Sequence, residues 1–156
     1  MARRLHQRGA MDNIAEELRQ RTFRYALRVV AFSRKLTDTW EGREIARQLL
    51  RGGMGTASNY WSACRGRSGA EFVARLGLAE DEAAESVMWL MLVVESGIRN
   101  DKETKDLLGE GREITAILSK PHKTARENRR RKKNQKKSQL TNLPTNKLTN
   151  SYSKSI

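Results

Sequence analysis

Arg126, Arg129, Arg130, Arg131, Lys132, Lys133, Lys136 and Lys137 place eight cations in the twelve residues from Arg126 to Lys137. Such a run attracts polyanions by neutralising phosphates and releasing their counterions, with little regard to base sequence. No aromatic residue lies within it to stack on a base, so it is not a sequence reader. It is read as a contact for RNA or DNA, or as a solubilising tail, with an anionic membrane surface the weaker third reading.

The other candidate chemistries are thin. Cys64 has Arg65 and Arg67 beside it, which would lower a thiol pKa. His6 and His122 are the two histidines and leave residues 7–121 without one, so Cys64 has no base partner and reads as a structural thiol. Glu80, Asp81, Glu82 and Glu85 cluster, but di-metal bundles need a Glu-x-x-His on facing helices, and an acidic run on a helix reads as a solvated face. No metal site, cofactor or catalytic residue is expected. Gly52, Gly53 and Gly55 lack the Gly-Lys-Ser/Thr that a phosphate-cradling loop requires, so they read as a place where helices approach closely.

The charge is unevenly spread. The chain has 156 residues and a net charge of +13. Residues 1–118 hold 19 Lys+Arg against 17 Asp+Glu, a net of +2, while residues 119–156 hold 12 against one, a net of +11. A near-neutral body with a basic tail is expected. Hydrophobic residues are 37% and aromatics 6%, low for a chain packed throughout. The longest apolar run, Val87 to Val94, is far short of the roughly 20 residues that span a bilayer. No export signal is evident, and the lone cysteine cannot form an internal disulfide, so a cytoplasmic location is expected.

Four amphipathic segments must position these residues. The first, about 13–36, carries Ile14, Leu18, Tyr25, Val29, Phe32 and Leu36 at helical steps, widened by Phe23, Ala26 and Val30. The second, about 41–63, carries Ile45, Leu49, Thr56, Tyr60 and Ala63, entered from N-cap candidates in Thr37-Asp38-Thr39. Ser68 to Glu71 reads as a capping box before Phe72, Leu76, Ala79, Ala83, Val87, Leu90 and Val94, the clearest periodicity in the chain. The fourth starts at a box from Asn100 to Glu103 and carries Leu107, Leu108, Gly111, Ile114, Ile117 and Leu118. Pro121 disfavours helix at the residue before it, so an end near Lys120 is expected, with fraying to about Arg131. Short connections make this an all-α, antiparallel up-down-up-down four-helix bundle. Residues 1–12 are expected to be a flexible N-terminus and 121–156 a disordered basic tail.

On the second segment, Asn59 is expected to hydrogen-bond across the bundle, and Arg47 or Arg51 to pair with Glu82 or Glu85. Trp40, Trp61 and Trp89 fall off or beside the stripes. They read as residues for an oligomer interface, or as rings half-covered by arginine side chains.

Several stretches in order resemble one family. They are Phe23 to Val30, Ile45 to Arg51, Ala57-Ser58-Asn59-Tyr60, the Ser68-to-Phe72 opening, and Glu82-Ala83-Ala84-Glu85 followed by Trp89-Leu90. Together they resemble the four helix bundle protein family, also called the 23S rRNA intervening-sequence protein family. The family usually has Glu where Ser62 stands, and often Lys where Asp81 stands. The resemblance covers about residues 13–120. It implies an antiparallel four-helix bundle in a homopentameric ring, with kinship to the accessory protein of diversity-generating retroelements, which binds a reverse transcriptase and nucleic acid. Most members of that family have no established biochemical activity.

The functional expectation is a non-enzymatic, nucleic-acid-associated homo-oligomer. Arg24, Arg28, Arg47 and Arg51 are the candidate phosphate contacts on the body, beside the eight cations of the tail. The alternative is a scaffold that recruits an enzyme through a protein partner, without touching nucleic acid.

Overall fold

The computed structural model describes residues 2–141. Four helices follow one another: α1 (Ala2–Ser33), α2 (Trp40–Cys64), α3 (Gly69–Glu95) and α4 (Lys102–Thr141), with a 3-10 turn at Arg34–Leu36. Among the described residues there is no strand. The chain divides into two units, Met1–His122 and Lys123–Ile156. The first is the expected all-α, antiparallel four-helix bundle.

Its core forms where the stripes meet. Tyr25, Val29 and Phe32 of α1, Leu49 and Tyr60 of α2, Leu76, Ala79, Ala83, Leu90 and Val93 of α3, and Leu107, Ile114 and Leu118 of α4 are buried together. Each large side chain so buried contributes about 1.5–3 kcal/mol. Three expected stripe members lie outside this core: Ile14, Phe23 and Ile117 are exposed. Tyr25 also carries a polar link, its hydroxyl lying 2.7 Å from the buried Ser86 Oγ of α3. Burial pushes the Tyr25 pKa up to about 12 against that hydrogen bond, so the phenol stays protonated.

Small residues let α2 sit close to its neighbours. A Cβ on Gly53 would lie 2.8 Å from Val29 Cγ1, and one on Gly52 would lie 3.1 Å from the Glu82 carbonyl oxygen. The glycines therefore serve close helix approach, as their sequence suggested.

Thr39 and Ser68 cap α2 and α3 as expected, while Asp101 rather than Asn100 caps α4. Thr39 Oγ1 accepts the Gly42 amide at 3.1 Å, and Ser68 Oγ accepts the Glu71 amide at 3.1 Å. Gly97, at φ +75°, follows the end of α3, where a left-handed residue turns the chain. Asp101 Oδ1 accepts both the amide and the hydroxyl of Thr104, at 2.9 and 2.8 Å. Those bonds, and the Arg99 guanidinium, hold the Asp101 carboxyl at about 2.

Two helix bounds differ from expectation. α1 begins at Ala2 rather than Asn13. The added residues include Ala2, Arg3, Arg4, Leu5, Gln7 and Met11, which are good helix formers, and contain no proline. At the other end, α4 does not stop at Lys120 but runs through Pro121 to Thr141. Proline removes one hydrogen bond and costs about 3 kcal/mol in a helix interior. Past it, however, Lys, Arg and Gln dominate, and no glycine occurs after Gly111. The first part of the basic tail is thus helical; residues 142–156, also assigned to that tail, lie outside the described residues.

Candidate nucleic-acid interface

The body arginines divide by what holds them. On α1, Arg24 and Arg28 are exposed and one turn apart, so they share a face. Neither has an ion pair among the described residues. Arg21 is instead committed to α4, 2.8 Å from Glu110 Oε1 and 2.5 Å from Glu113 Oε2. On α2, Arg47 pairs with Glu44 of its own helix rather than with α3. Arg51 reaches Glu85 of α3 at 2.9 Å, one of the pairings the sequence offered. Both partners of that pair are largely exposed, so it holds Arg51 by no more than about 1 kcal/mol. A phosphate can compete for Arg51.

The eight tail cations lie on α4. Arg126, Arg130, Arg131, Lys132, Lys133, Lys136 and Lys137 are exposed, and Arg129 shares their helix. Arg126, Arg130 and Lys133 recur at steps of four and three, and line one open concavity of about 530 Å³ with Glu127.

Two structural expectations change on α2 and α3. Asn59 does not reach across the bundle: its Nδ2 donates to the Gly55 carbonyl of its own helix at 3.0 Å. Among the described residues Glu82 takes no arginine. Its carboxyl packs over Gly55, where a Cβ would come within 2.6 Å of Cδ, and its buried Oε2 has no hydrogen-bond partner. Burial raises the Glu82 pKa, helped by Glu85 and Asp81, while Arg51 opposes the rise. An acid with a raised folded pKa stabilises the fold while protonated and loses that contribution as pH rises through the folded value. Glu82→Gln is therefore expected to raise the melting temperature at neutral pH. The gain over wild type should shrink as pH falls through the carboxyl range. Thermal melts across that range check the sign.

The cysteine reading also shifts. Cys64 is exposed, but desolvation of its thiol raises the pKa over the opposing Tyr60 hydrogen bond and the charge of Arg19. Arg65 and Arg67 do not activate it. Among the described residues no three His, Cys, Asp or Glu side chains group to hold a metal ion, and no helix is long and apolar enough to cross a membrane.

Two apolar surfaces remain. Phe23 and Leu27 of α1 and Met54 and Trp61 of α2 are exposed, and a groove of about 280 Å³ runs between Phe23, Met54 and Trp61. Phe23 meets Trp61 edge-on at 6.4 Å between centroids, and the Arg19 guanidinium covers the Trp61 ring at 4.5 Å. Leu78, Met88, Met91 and Leu92 form a second exposed set on α3. Trp40 is 71% exposed. Trp89 is half-buried, and its Nε1 has no partner.

The sequence did not single out Ser33, Arg34 or Arg43. They line a further cavity of about 320 Å³ where α1 ends and α2 begins. A serine at helical spacing from Val29 and Val30, followed by basic residues on both sides of a turn, was the available signal.

Three comparisons bear on this arrangement. The family model for the 23S rRNA-intervening sequence protein matches residues 15–120. No curated protein matches the chain significantly. Among solved structures, a protein of unknown function from the S23 ribosomal protein family of Bacteroides thetaiotaomicron is similar, with a TM-score of 0.63 and 24% identity. The match covers 68% of this chain and 98% of that one, and shows a shared fold.

Proposed function

Because the chain belongs to the 23S rRNA-intervening sequence protein family, we propose that it is a non-enzymatic, homo-oligomeric accessory protein that associates with structured RNA or DNA in the cytoplasm. One observation carries the reading: eight cations stand on a single helical stretch, Arg126 to Lys137. Arg24 and Arg28 supply further contacts on the body.

Self-association is supported by the two exposed apolar sets, which lie on different helices of one protomer. A patch on α1 and α2 meeting a different patch on α3 is a heterologous contact, and such contacts close into rings when the rotation permits. A pentamer is the ring we propose. The second reading, a scaffold for a protein partner, is favoured by the Phe23–Met54–Trp61 groove, whose aromatic and methionine content suits protein interfaces.

The test combines mass by light scattering with binding of a structured ribosomal RNA fragment at two salt concentrations. A pentamer mass and salt-sensitive RNA binding are expected. A monomer with no affinity at low salt would overturn the proposal. A ring that ignores RNA, yet retains a protein partner after nuclease treatment, would favour the scaffold.

A further inference from the structure

The cavity between the end of α1 and the start of α2 has an apolar floor and a cationic rim. Val30, Ala46 and Leu50 form the floor. At the rim stand Arg34, Arg43 and Arg47. Arg43 is held in place by donating from Nη1 to the Thr37 carbonyl oxygen at 2.8 Å. Arg34 has no side-chain partner among the described residues, while Arg47 is shared with Glu44. Ser33 also lines the cavity; it is 2% exposed, and its Oγ is buried without a hydrogen-bond partner.

A buried hydroxyl left unpaired carries the full desolvation penalty of the group, so an occupant that satisfies it is favoured. A bare inorganic anion would answer the guanidinium groups but leave the floor wet. An acyl chain would cover the floor but leave Ser33 unsatisfied. A nucleobase offers a flat apolar face and hydrogen-bonding edges together, and its phosphate answers the rim. At about 320 Å³ the cavity lies at the small end of ligand pockets.

We infer that this pocket takes one nucleotide unit, with the base on the Val30–Ala46–Leu50 floor beside Ser33 and the phosphate at the rim of Arg34, Arg43 and Arg47. The inference deepens the nucleic-acid reading and rests on it for the source of the nucleotide, an unpaired residue of a strand. A free nucleotide is the other source of the same chemistry.

Methyl NMR of the full chain distinguishes these. The methyl signals of Val30, Ala46 and Leu50 are followed on adding adenosine monophosphate, ribose phosphate, inorganic phosphate, or a short unpaired RNA. The inference expects shifts with adenosine monophosphate and with RNA, and weaker binding of ribose phosphate. Arg34→Glu should weaken adenosine monophosphate at least about tenfold, through loss of a charge-assisted contact. Leu90 and Val93 signals should stay unchanged in that variant, showing that the core is intact. Ser33→Ala should weaken adenosine monophosphate and leave ribose phosphate unaffected.

Equal binding of ribose phosphate and adenosine monophosphate would overturn the inference, because the base would then contribute nothing. RNA binding that leaves these methyls unmoved would also overturn it, while the broader nucleic-acid reading survives. Nucleotide binding here without RNA binding anywhere would uphold the pocket as a free-nucleotide site and remove the polynucleotide reading.

Discussion

Adding one methyl group at Gly42 or Gly53 is expected to destabilise the bundle, while the same change at Gly109 stabilises it. All three glycines lie inside helices. In each, alanine gains up to about 1 kcal/mol of helix propensity, so the surroundings decide the sign. At Gly109 a Cβ meets nothing within 4 Å, and the propensity gain stands. At Gly53 it would lie 2.8–2.9 Å from three carbons of Val29. Val29 is fully buried, and a helical valine has essentially one side-chain rotamer, so it cannot swing away. Overpacking of this kind costs about 1–3 kcal/mol and exceeds the gain. At Gly42 the contact is worse, 2.0 Å from the Leu36 backbone carbonyl oxygen. Relief there requires the whole Arg34–Leu36 turn to move, so Gly42→Ala should be the most damaging of the three. Urea unfolding at one fixed protomer concentration gives the comparison, since self-association would otherwise shift the apparent stability. A stabilised Gly42→Ala variant would show that α1 and α2 are not joined as described.

The glycine positions also show what sequence periodicity reveals. Leu49, Thr56, Tyr60 and Ala63 could be named as an inward stripe because a helix repeats its face every three to four residues, and all four are buried. Ile14 obeys the same rule and is exposed. Periodicity states which residues share a face, but not whether another helix reaches that far along it. Pairings that cross helices carry the same ambiguity. Arg51 with Glu85 was one of four combinations offered by the sequence, and choosing among them needs the register of α2 on α3. Arg47 took Glu44 because a partner three residues away on the same helix needs no register at all. Asn59 likewise turned to the Gly55 carbonyl four residues back. The Ser33–Arg34–Arg43 pocket was illegible for a further reason: its walls meet only once the Arg34–Thr39 turn has been folded. By contrast, the basic stretch of α4 was fully legible as charge. What the sequence misjudged was its backbone, since the stop at Pro121 was weighed above the helix-forming residues that follow.

Replacing all eight cations between Arg126 and Lys137 with glutamine is expected to produce the largest loss of function. Glutamine keeps helix propensity close to that of lysine and arginine, so the substitution removes charge with little change to the backbone. At about 1.5 Å per residue the stretch is roughly 16 Å long, so its eight charges fall about one per 2 Å. Duplex nucleic acid carries about one charge per 1.7 Å of axis, and two lines of such similar charge density can neutralise each other along their length. If about six phosphates are engaged, the logarithm of affinity falls with the logarithm of salt at a slope near −5 for a duplex and near −4 for a single strand. A slope of −5 means a loss of about 10³ in affinity between 50 and 200 mM salt. The glutamine variant should lose most of that slope, and with it most of the binding at low salt. Whatever slope persists belongs to the body and to the four cations left in residues 119–156, and Arg24→Gln with Arg28→Gln in the same background should then reduce it by about two contacts. Anisotropy titrations of a labelled RNA at four or more salt concentrations measure both slopes. A slope unchanged by the eight substitutions would move the interface off the Arg126–Lys137 stretch, because screening acts on every exposed phosphate contact and none could be lost without trace.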